Sequence, residues 1–414
     1  MDRKYEFTGE TKQQIITYPK TDSDGMDVER EVTFRRIRAV RDFGTVKAGD
    51  LGGWIEKEEN LSHEGDAWVA DEAMVFDNAS IVDNAYVSDE AWVLGNAQVI
   101  NNANISGNAE VLDNVQISGN ARIYDYAKVG GRAHIKDNAQ VYGQAQVKDN
   151  AEVYGQAQAY GDADIYDYAK VYENARVYHS AQVRNNVNLF GKAKVYGSAS
   201  LFDSARIYED AKVYGEARVF GYARIAGNAE VQGQGQVYGK AWVSDNAKVY
   251  GKTKIYGMAK IYNHAKIGGA RVYDNAQVYG NASIYDAQAY ENAQIYDDAV
   301  VCDGAIIHGE AQVYENANVN FQSQVYGNAK VSGNAKIQCA EVYGKVEMYG
   351  DANVDGTLYV GGDVDAVKVF GDAKIFNKDS LHDYLEQYSI GQSVETYMDN
   401  ITAMEPVDEM VMGD

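Results

Sequence analysis

A six-residue phrase recurs along this chain: a small residue, a polar one, a branched aliphatic, a variable one, then two turn-formers. It leaves little choice of fold. From residue 67 through residue 264 the frame A-x-[VIL]-x-x-x runs for 33 consecutive hexads without insertion or deletion. The first position is alanine except at Val115, Val187, Gly235 and Thr253, and the third is Val, Ile or Leu except at Ala159. Its first four residues alternate inward and outward, the period of a strand. Its last two are mostly Gly, Asp, Asn, Glu, Gln or Ser, the chemistry of a tight turn. Such turn pairs every six residues, beside β-branched Val and Ile, disfavour a helix throughout. Strands this short cannot build a sandwich, so they climb into a solenoid.

Tyrosine sets the length of one coil. The fourth residue of every third hexad gives Tyr124, Tyr142, Tyr160, Tyr178, Tyr196 and Tyr214 in unbroken succession, a register of 18 residues and three strands per coil. The 33 hexads then make 11 coils, about 50 Å at ~4.8 Å per strand, and the whole array some 17 coils, roughly 80 Å. Past residue 264 four units, "AKIGG" at Ala265, "ASIYD" at Ala282, "AKIQC" at Ala335 and "AEVYG" at Ala340, are five residues long. They read as tightened corners within one continuing prism, which fades near Phe376. Three segments follow: a lead-in and cap over residues 1–60, the solenoid over 61–377, and a tail over 378–414.

The hexad resembles the bacterial transferase hexapeptide repeat, whose members wind as left-handed parallel β-helices of triangular section; that handedness is what the resemblance implies. Residues 35–76, "RRIRAVRDFGTVKAGDLGGWIEKEENLSHEGDAWVADEAMVF", carry DF, VKAG and GGW ahead of the first coils. They resemble the opening of YdcK-like proteins, which occur in enterobacterial genomes and in phages and prophages. That resemblance implies an all-β, three-sided solenoid of phage or prophage type. Proteins of this kind carry a transferase label by fold analogy, which implies no particular reaction.

Both ends of a solenoid expose unpaired strand edges, and both termini here read as covers. Residues 4–17 and 30–40 alternate as two strands of a hairpin around "TDSDGMDVE". Asp22 and Asp24 in that loop offer too few oxygens for Ca²⁺, so it is a turn. The tail holds nine acids against one base. Ser380 with Asp383 marks a helix start, and Leu381, Tyr384, Leu385 and Tyr388 share one helical face. A second such face follows with Val394, Tyr397, Met398 and Ile401, so the tail reads as a short helical pair that closes the last coil or docks a partner.

Catalytic chemistry finds little purchase. The resemblance to hexapeptide-repeat acyltransferases implies a histidine base in a cleft between subunits, to take the proton of the incoming hydroxyl or amine, and none of His63, His134, His179, His264, His308 and His382 lies in a long insertion. His308, one hexad from Cys302, is the one pair an enzyme could use. No phosphate loop, dinucleotide fingerprint, nucleophile elbow or metal run occurs, so no catalytic residue, cofactor or metal is assigned. The two cysteines, Cys302 and Cys339, suit a reducing compartment, and no apolar stretch is long enough for a bilayer helix. A cytoplasmic protein is expected, in a host cytoplasm if phage encoded.

The outward fourth positions carry the remaining signal. Beside the six tyrosines lie Arg122, Gln140, Gln158, Arg176, Lys194 and Lys212 on the same face. Other faces place Tyr154, Tyr172, Phe190 and Tyr208 together, and Tyr166, Phe202, Phe220, Tyr238 and Tyr256. Near the N-terminus the exposed positions are apolar: Phe76, Leu94 and Leu112 on one face, Val82 and Ile100 on another. Same-face ladders stabilise a sheet, and tyrosine also suits contact surfaces because it brings area at low entropic cost. The expected function is therefore structural or interaction-based, as a host-factor or counter-defence binder or a virion component. Tyr124 to Tyr214 and the Phe76–Leu94–Leu112 strip form the candidate surface for a protein partner, a second copy or a glycan. The strip could instead lie beneath the N-terminal cap. Acyl transfer is the alternative. The net charge of −23 opposes direct nucleic-acid binding and raises a third reading, an acidic nucleic-acid mimic, which the interspersed Lys and Arg weaken.

Overall fold

The computed structural model describes residues 3–18, 28–362 and 368–376, with Ser380, Leu381, Asp383 and Tyr384 beyond them. Two compact units are distinguished, Met1–Asp210 and Ala211–Asp414.

In each unit the hexad becomes a two-residue strand and a corner. First-position alanines and third-position aliphatics have no exposure from Ala85 through Ile207 in the first unit, and Ala211, Val213, Ala217 and Val219 continue the pattern in the second. The fifth residue turns the corner in the left-handed backbone region, as at Asp125 (φ 60°), Asp137 (φ 61°) and Gly143 (φ 69°). Asp, Asn and Gly tolerate that region best, which explains the composition of the turns. The aspartates contribute further: the amide of Gly143 donates to Asp125 Oδ2 (3.1 Å) and that of Gly155 to Asp137 Oδ2 (3.0 Å), each a coil away. At the sixth position an amide ladder runs from Asn84 through Asn102 and Asn120 to Asn138, with contacts of 3.0–3.1 Å.

In both units most hexad strands pair in parallel with the third strand on, which gives these coils three faces. In the first unit Arg122 pairs with Gln140, Gln140 with Gln158, Gln158 with Arg176 and Arg176 with Lys194, an 18-residue register. In the second unit the short hexads shorten a coil without breaking the register: Lys266 pairs with Ser283 and Ser283 with Val300, 17 residues apart. The strand takes up the corner, lengthening to Lys266–Gly268 and Ser283–Tyr285.

The N-terminal cap is an antiparallel pair, β1 (Tyr5–Tyr18) and β2 (Val28–Ala39), with Tyr5 opposite Ala39 and Ile16 opposite Arg30. The joining loop, with Asp22 and Asp24, lies outside the described residues. Strand β3 (Leu51–Ile55) is antiparallel to β2 on one edge and parallel to the first coil on the other, Trp54 opposite Met74. Parallel stacking thus begins inside the segment read as a lead-in, ahead of residue 61. Lys4 is fully buried and donates through Nζ to the carbonyls of Ala67 (2.7 Å) and Gly65 (3.4 Å), so it closes orphan acceptors at the open end. Burial lowers its pKa to about 8. The Tyr5 hydroxyl donates to the carbonyls of Leu61 and Glu58, both at 3.0 Å.

Of the C-terminal tail, the second helical face and half of the first, Leu385 and Tyr388, lie outside the described residues. Ser380, Leu381, Asp383 and Tyr384 have helical backbone, but no α-helix is delimited among the described residues, where Glu58–Asn60 forms a 3-10 turn. Leu381 and Tyr384 are buried, and the Phe370 amide donates to the Tyr384 hydroxyl (2.9 Å), so this stretch does pack on a late coil.

Candidate functional surface: the aromatic ladders

A fourth-position side chain leaves the strand just before the corner, and its amide is tied to the coil beyond: Tyr142 N–H donates to the Ala159 carbonyl (3.0 Å) and Tyr160 N–H to that of Val177 (3.0 Å). Successive rings are therefore held one strand spacing apart. Tyr124, Tyr142, Tyr160, Tyr178 and Tyr196 stack with centroids 4.8–4.9 Å apart and ring planes within 6°. Arg122 lies over the edge of this column, its guanidinium carbon 5.8 Å from the Tyr124 ring centre. A second column of the first unit runs Tyr154, Tyr172, Phe190, Tyr208 at 4.9–5.1 Å. Tyr214 belongs to the second unit, where its hydroxyl donates to Glu230 Oε2 (3.3 Å).

The longest column lies in that second unit. Phe220, Tyr238, Tyr256, Tyr273, Tyr290, His308, Tyr326 and Tyr343 stack at 4.7–5.3 Å. Tyr262, Tyr279, Tyr296 and Tyr314 form another at 4.8–4.9 Å. Counting by 18 misses the rungs beyond Tyr256, because the short hexads move them to a 17-residue spacing. Counting from each hexad's first residue recovers them.

This stacking decides what a ladder presents. The faces of the inner rings cover one another, so the outward surface is a row of ring edges and hydroxyls. Sugar rings bind aromatic side chains through ring faces, which the inner rungs lack. Burial also raises the tyrosine pKa values, at Tyr124, Tyr142 and Tyr178 and to about 12 at Tyr273 and Tyr296, where neighbouring tyrosines add to it. These five hydroxyls are protonated donors at neutral pH.

The apolar strip lies beneath the cap. Phe76 is fully buried, Leu94 nearly so, and both join Ile16, Val32, Phe34, Trp54 and Met74 in one cluster, with Leu112 half-buried at its margin. Phe34 meets Phe76 edge to face at 5.3 Å. Of the expected surface, Phe76 and Leu94 are therefore core, removed from any partner by the hairpin.

His308 and Cys302 do not share a pocket. They leave consecutive strands, Val300–Cys302 and Ile306–Ile307, on different faces. His308 is a rung between Tyr290 and Tyr326, with Nδ1 3.6 Å from Glu291 Oε2. The Cys302 thiol donates to Asp303 Oδ2 (3.3 Å), and burial together with that carboxylate pushes its pKa up to about 11, the opposite of an activated nucleophile. His63 is structural: it stacks on Tyr5 at 4.3 Å, accepts from the Lys4 amide and pairs with Glu58. His134 is a half-buried strand residue, while His179 and His264 sit at corners; His382 lies outside the described residues. Among the described residues no group of three or more His, Cys, Asp or Glu could hold a metal ion, and no helix is long and apolar enough to cross a membrane.

Comparison with known proteins agrees with this geometry. The YdcK β-solenoid repeat model matches residues 115–131, 169–185 and 293–309. Each match opens on a first-position residue, Val115, Ala169 or Ala293. A protein of Escherichia coli (strain K12) named "uncharacterized acetyltransferase YdcK" is 38% identical over 78 residues, 19% of this chain and 22% of that relative. The match thus spans about a fifth of the relative's length. Hexad, coil register and repeat model agree: in these three stretches the chain is similar to the YdcK β-solenoid repeat.

Proposed function

We propose that this protein is a non-enzymatic interaction protein, a solenoid whose aromatic columns and adjoining charges engage a macromolecular partner. The observation that carries this reading is the Tyr124–Tyr196 column, five rings held parallel beside Arg122, Arg176 and Lys194 with no acid at the strand positions between them. Rigid aromatic edges, hydroxyl donors and cations are what protein interfaces are enriched in. Because the inner ring faces are mutually covered, a protein suits this surface better than a glycan. The left-handed winding implied by the repeat and a closing role for the tail belong to the same reading.

The relative's name favours a second reading, acetyl transfer. Against it stand His308 confined within a ring stack and a Cys302 thiol held protonated. The grooves on the first unit, about 520 and 560 Å³, are lined by strand-face side chains such as Lys12, Trp92, Glu110 and Gln146, without a histidine.

The test pairs two measurements on the full chain. Immobilised protein is challenged with host lysate beside a Tyr142→Ser/Tyr160→Ser/Arg176→Glu variant, and thermal unfolding is followed with and without acetyl-CoA. A partner retained by the native protein and lost by the variant, with no acetyl-CoA shift, supports the interaction reading. A saturable acetyl-CoA shift, with capture indifferent to the variant, overturns it.

A further inference from the structure

Face for face, the second unit is not uniform. The column that becomes Tyr262, Tyr279, Tyr296 and Tyr314 begins with two small, buried residues, Ala226 and Ser244. On the same hexads, between the sixth and second positions of three coils, runs a groove of about 440 Å³ lined by Tyr222, Arg224, Lys240, Trp242, Met258 and Lys260. Tyr222 is 66% exposed, Met258 56% and Trp242 41%. Trp54 and Trp68, by contrast, are buried, and Trp92 is half-buried. Arg224 and Trp242 are register partners, as are Trp242 and Lys260, so a cation stands above and below the indole. The lining contains three cations and no carboxylate, and none of the three forms an ion pair among the described residues. In a chain of net charge −23, such a site is selective for an anionic, partly apolar occupant.

The chain itself carries a segment of that chemistry. Residues 385–414 hold seven acids, Glu386, Glu395, Asp399, Glu405, Asp408, Glu409 and Asp414, and no Lys or Arg. Interspersed are Met398, Ile401, Met404, Val407, Met410 and Val411, and methionine adapts well to aromatic surfaces. Reach is not limiting. From Trp242 the same face runs through Lys260, Gln277, Gln294, Gln312, Lys330 and Glu347 to Lys368, about 34 Å at the strand spacing. Thirty residues extend to roughly 100 Å.

We infer that the Trp242 groove is a docking site for the acidic segment 385–414 of the same chain. Opposite charge and apolar contact both favour this occupant, and the electrostatic part is screened by salt. A phosphate-bearing polymer would meet the same cations but would also meet the chain's net negative field, so the acidic segment is preferred.

Trp242 itself reports the outcome. Acrylamide quenching of the full chain, less that of Trp242→Phe, isolates the signal of this indole. The indole is expected to be shielded at low ionic strength and about threefold more quenchable near 1 M salt, where the screening length is ~3 Å. A full-length variant with Asp399→Asn, Glu405→Gln, Asp408→Asn and Glu409→Gln should show the high-salt value at low salt, as should Lys240→Glu. Shielding should not change with protein concentration. Equal quenching in every condition, shielding indifferent to the tail substitutions, or shielding that grows with concentration would each overturn the assignment. Shielding that appears only on adding a single-stranded oligonucleotide would overturn it in favour of a nucleic acid.

Discussion

Tyrosine at the fourth hexad position gains from its neighbours what no isolated surface ring has: two covered faces and a hydroxyl within reach of the next coil, as Tyr124 to Gln140 Oε1 (3.4 Å). The protonation chemistry follows. The folded-state pKa of Tyr273 and Tyr296 is about 12 against an ordinary value of 10.0, so above pH 10 the native chain binds more protons than the unfolded one. The stability these groups contribute is complete below pH 10 and is lost as pH rises toward 12. Tyrosinate absorbance should rise late, in step with a falling denaturant midpoint; a midpoint that held steady from pH 10 to 12 would contradict the coupling. The cysteines offer a second check. Cys339 is exposed, whereas the Cys302 thiol is half-buried and pushed up to about 11. Since the thiolate is the reactive form, iodoacetamide at pH 8 should label Cys339 at least tenfold faster, read by peptide mass analysis.

At the scale of the element, alanine and aliphatic positions have different tolerances. Ala145 has no exposure and sits where the corner closes, so Ala145→Leu forces extra volume into a closed section and should cost about 1–3 kcal/mol. The cap is held by few but large side chains. Phe34→Ala removes a fully buried ring from the cluster that covers Phe76 and Leu94, for an expected loss of about 3–5 kcal/mol. That loss should come with binding of a hydrophobic dye as the strip opens. Dye binding unchanged despite that loss would show that something other than the hairpin protects the strip. The hexad itself made the strand, the corner and the first-position alanine legible, because each is set within six residues. That β1 and β2 would lie over Phe76 was one of two options the residues allowed, since the partner sits about 40 positions away in sequence.

Within each unit, stability is assembled coil by coil, as in other repeat proteins. Opening should therefore begin where a coil has least support. Amides of inner coils such as Tyr142 and Tyr160, bonded to the following coil, should exchange at least tenfold more slowly than those of Lys336–Gly344, next to the irregular Asn353–Gly362 strand. Hydrogen exchange read by mass spectrometry gives the ratio, and uniform exchange would indicate one cooperative unit instead. The surface is equally non-uniform: bulk charge is strongly negative, while the Tyr124–Tyr196 face and the Trp242 groove are basic. Net charge alone concealed both, because the cations are gathered by a register of 17 or 18 residues and not by proximity in sequence.

Sequence by itself determined the three-sided parallel solenoid, its 18-residue coil and the stacking of Tyr142 on Tyr160, since a strict local period propagates without any long-range choice. Tertiary structure decided what period cannot encode. It set the hairpin over Phe76 and Leu94, carried the register through the 17-residue coils, and separated His308 from Cys302 onto different faces. It also turned the ring faces toward one another, leaving edges for the outside. Each of these depends on which residues meet across coils, and that meeting is fixed by backbone hydrogen bonds between strands rather than by neighbours in the chain.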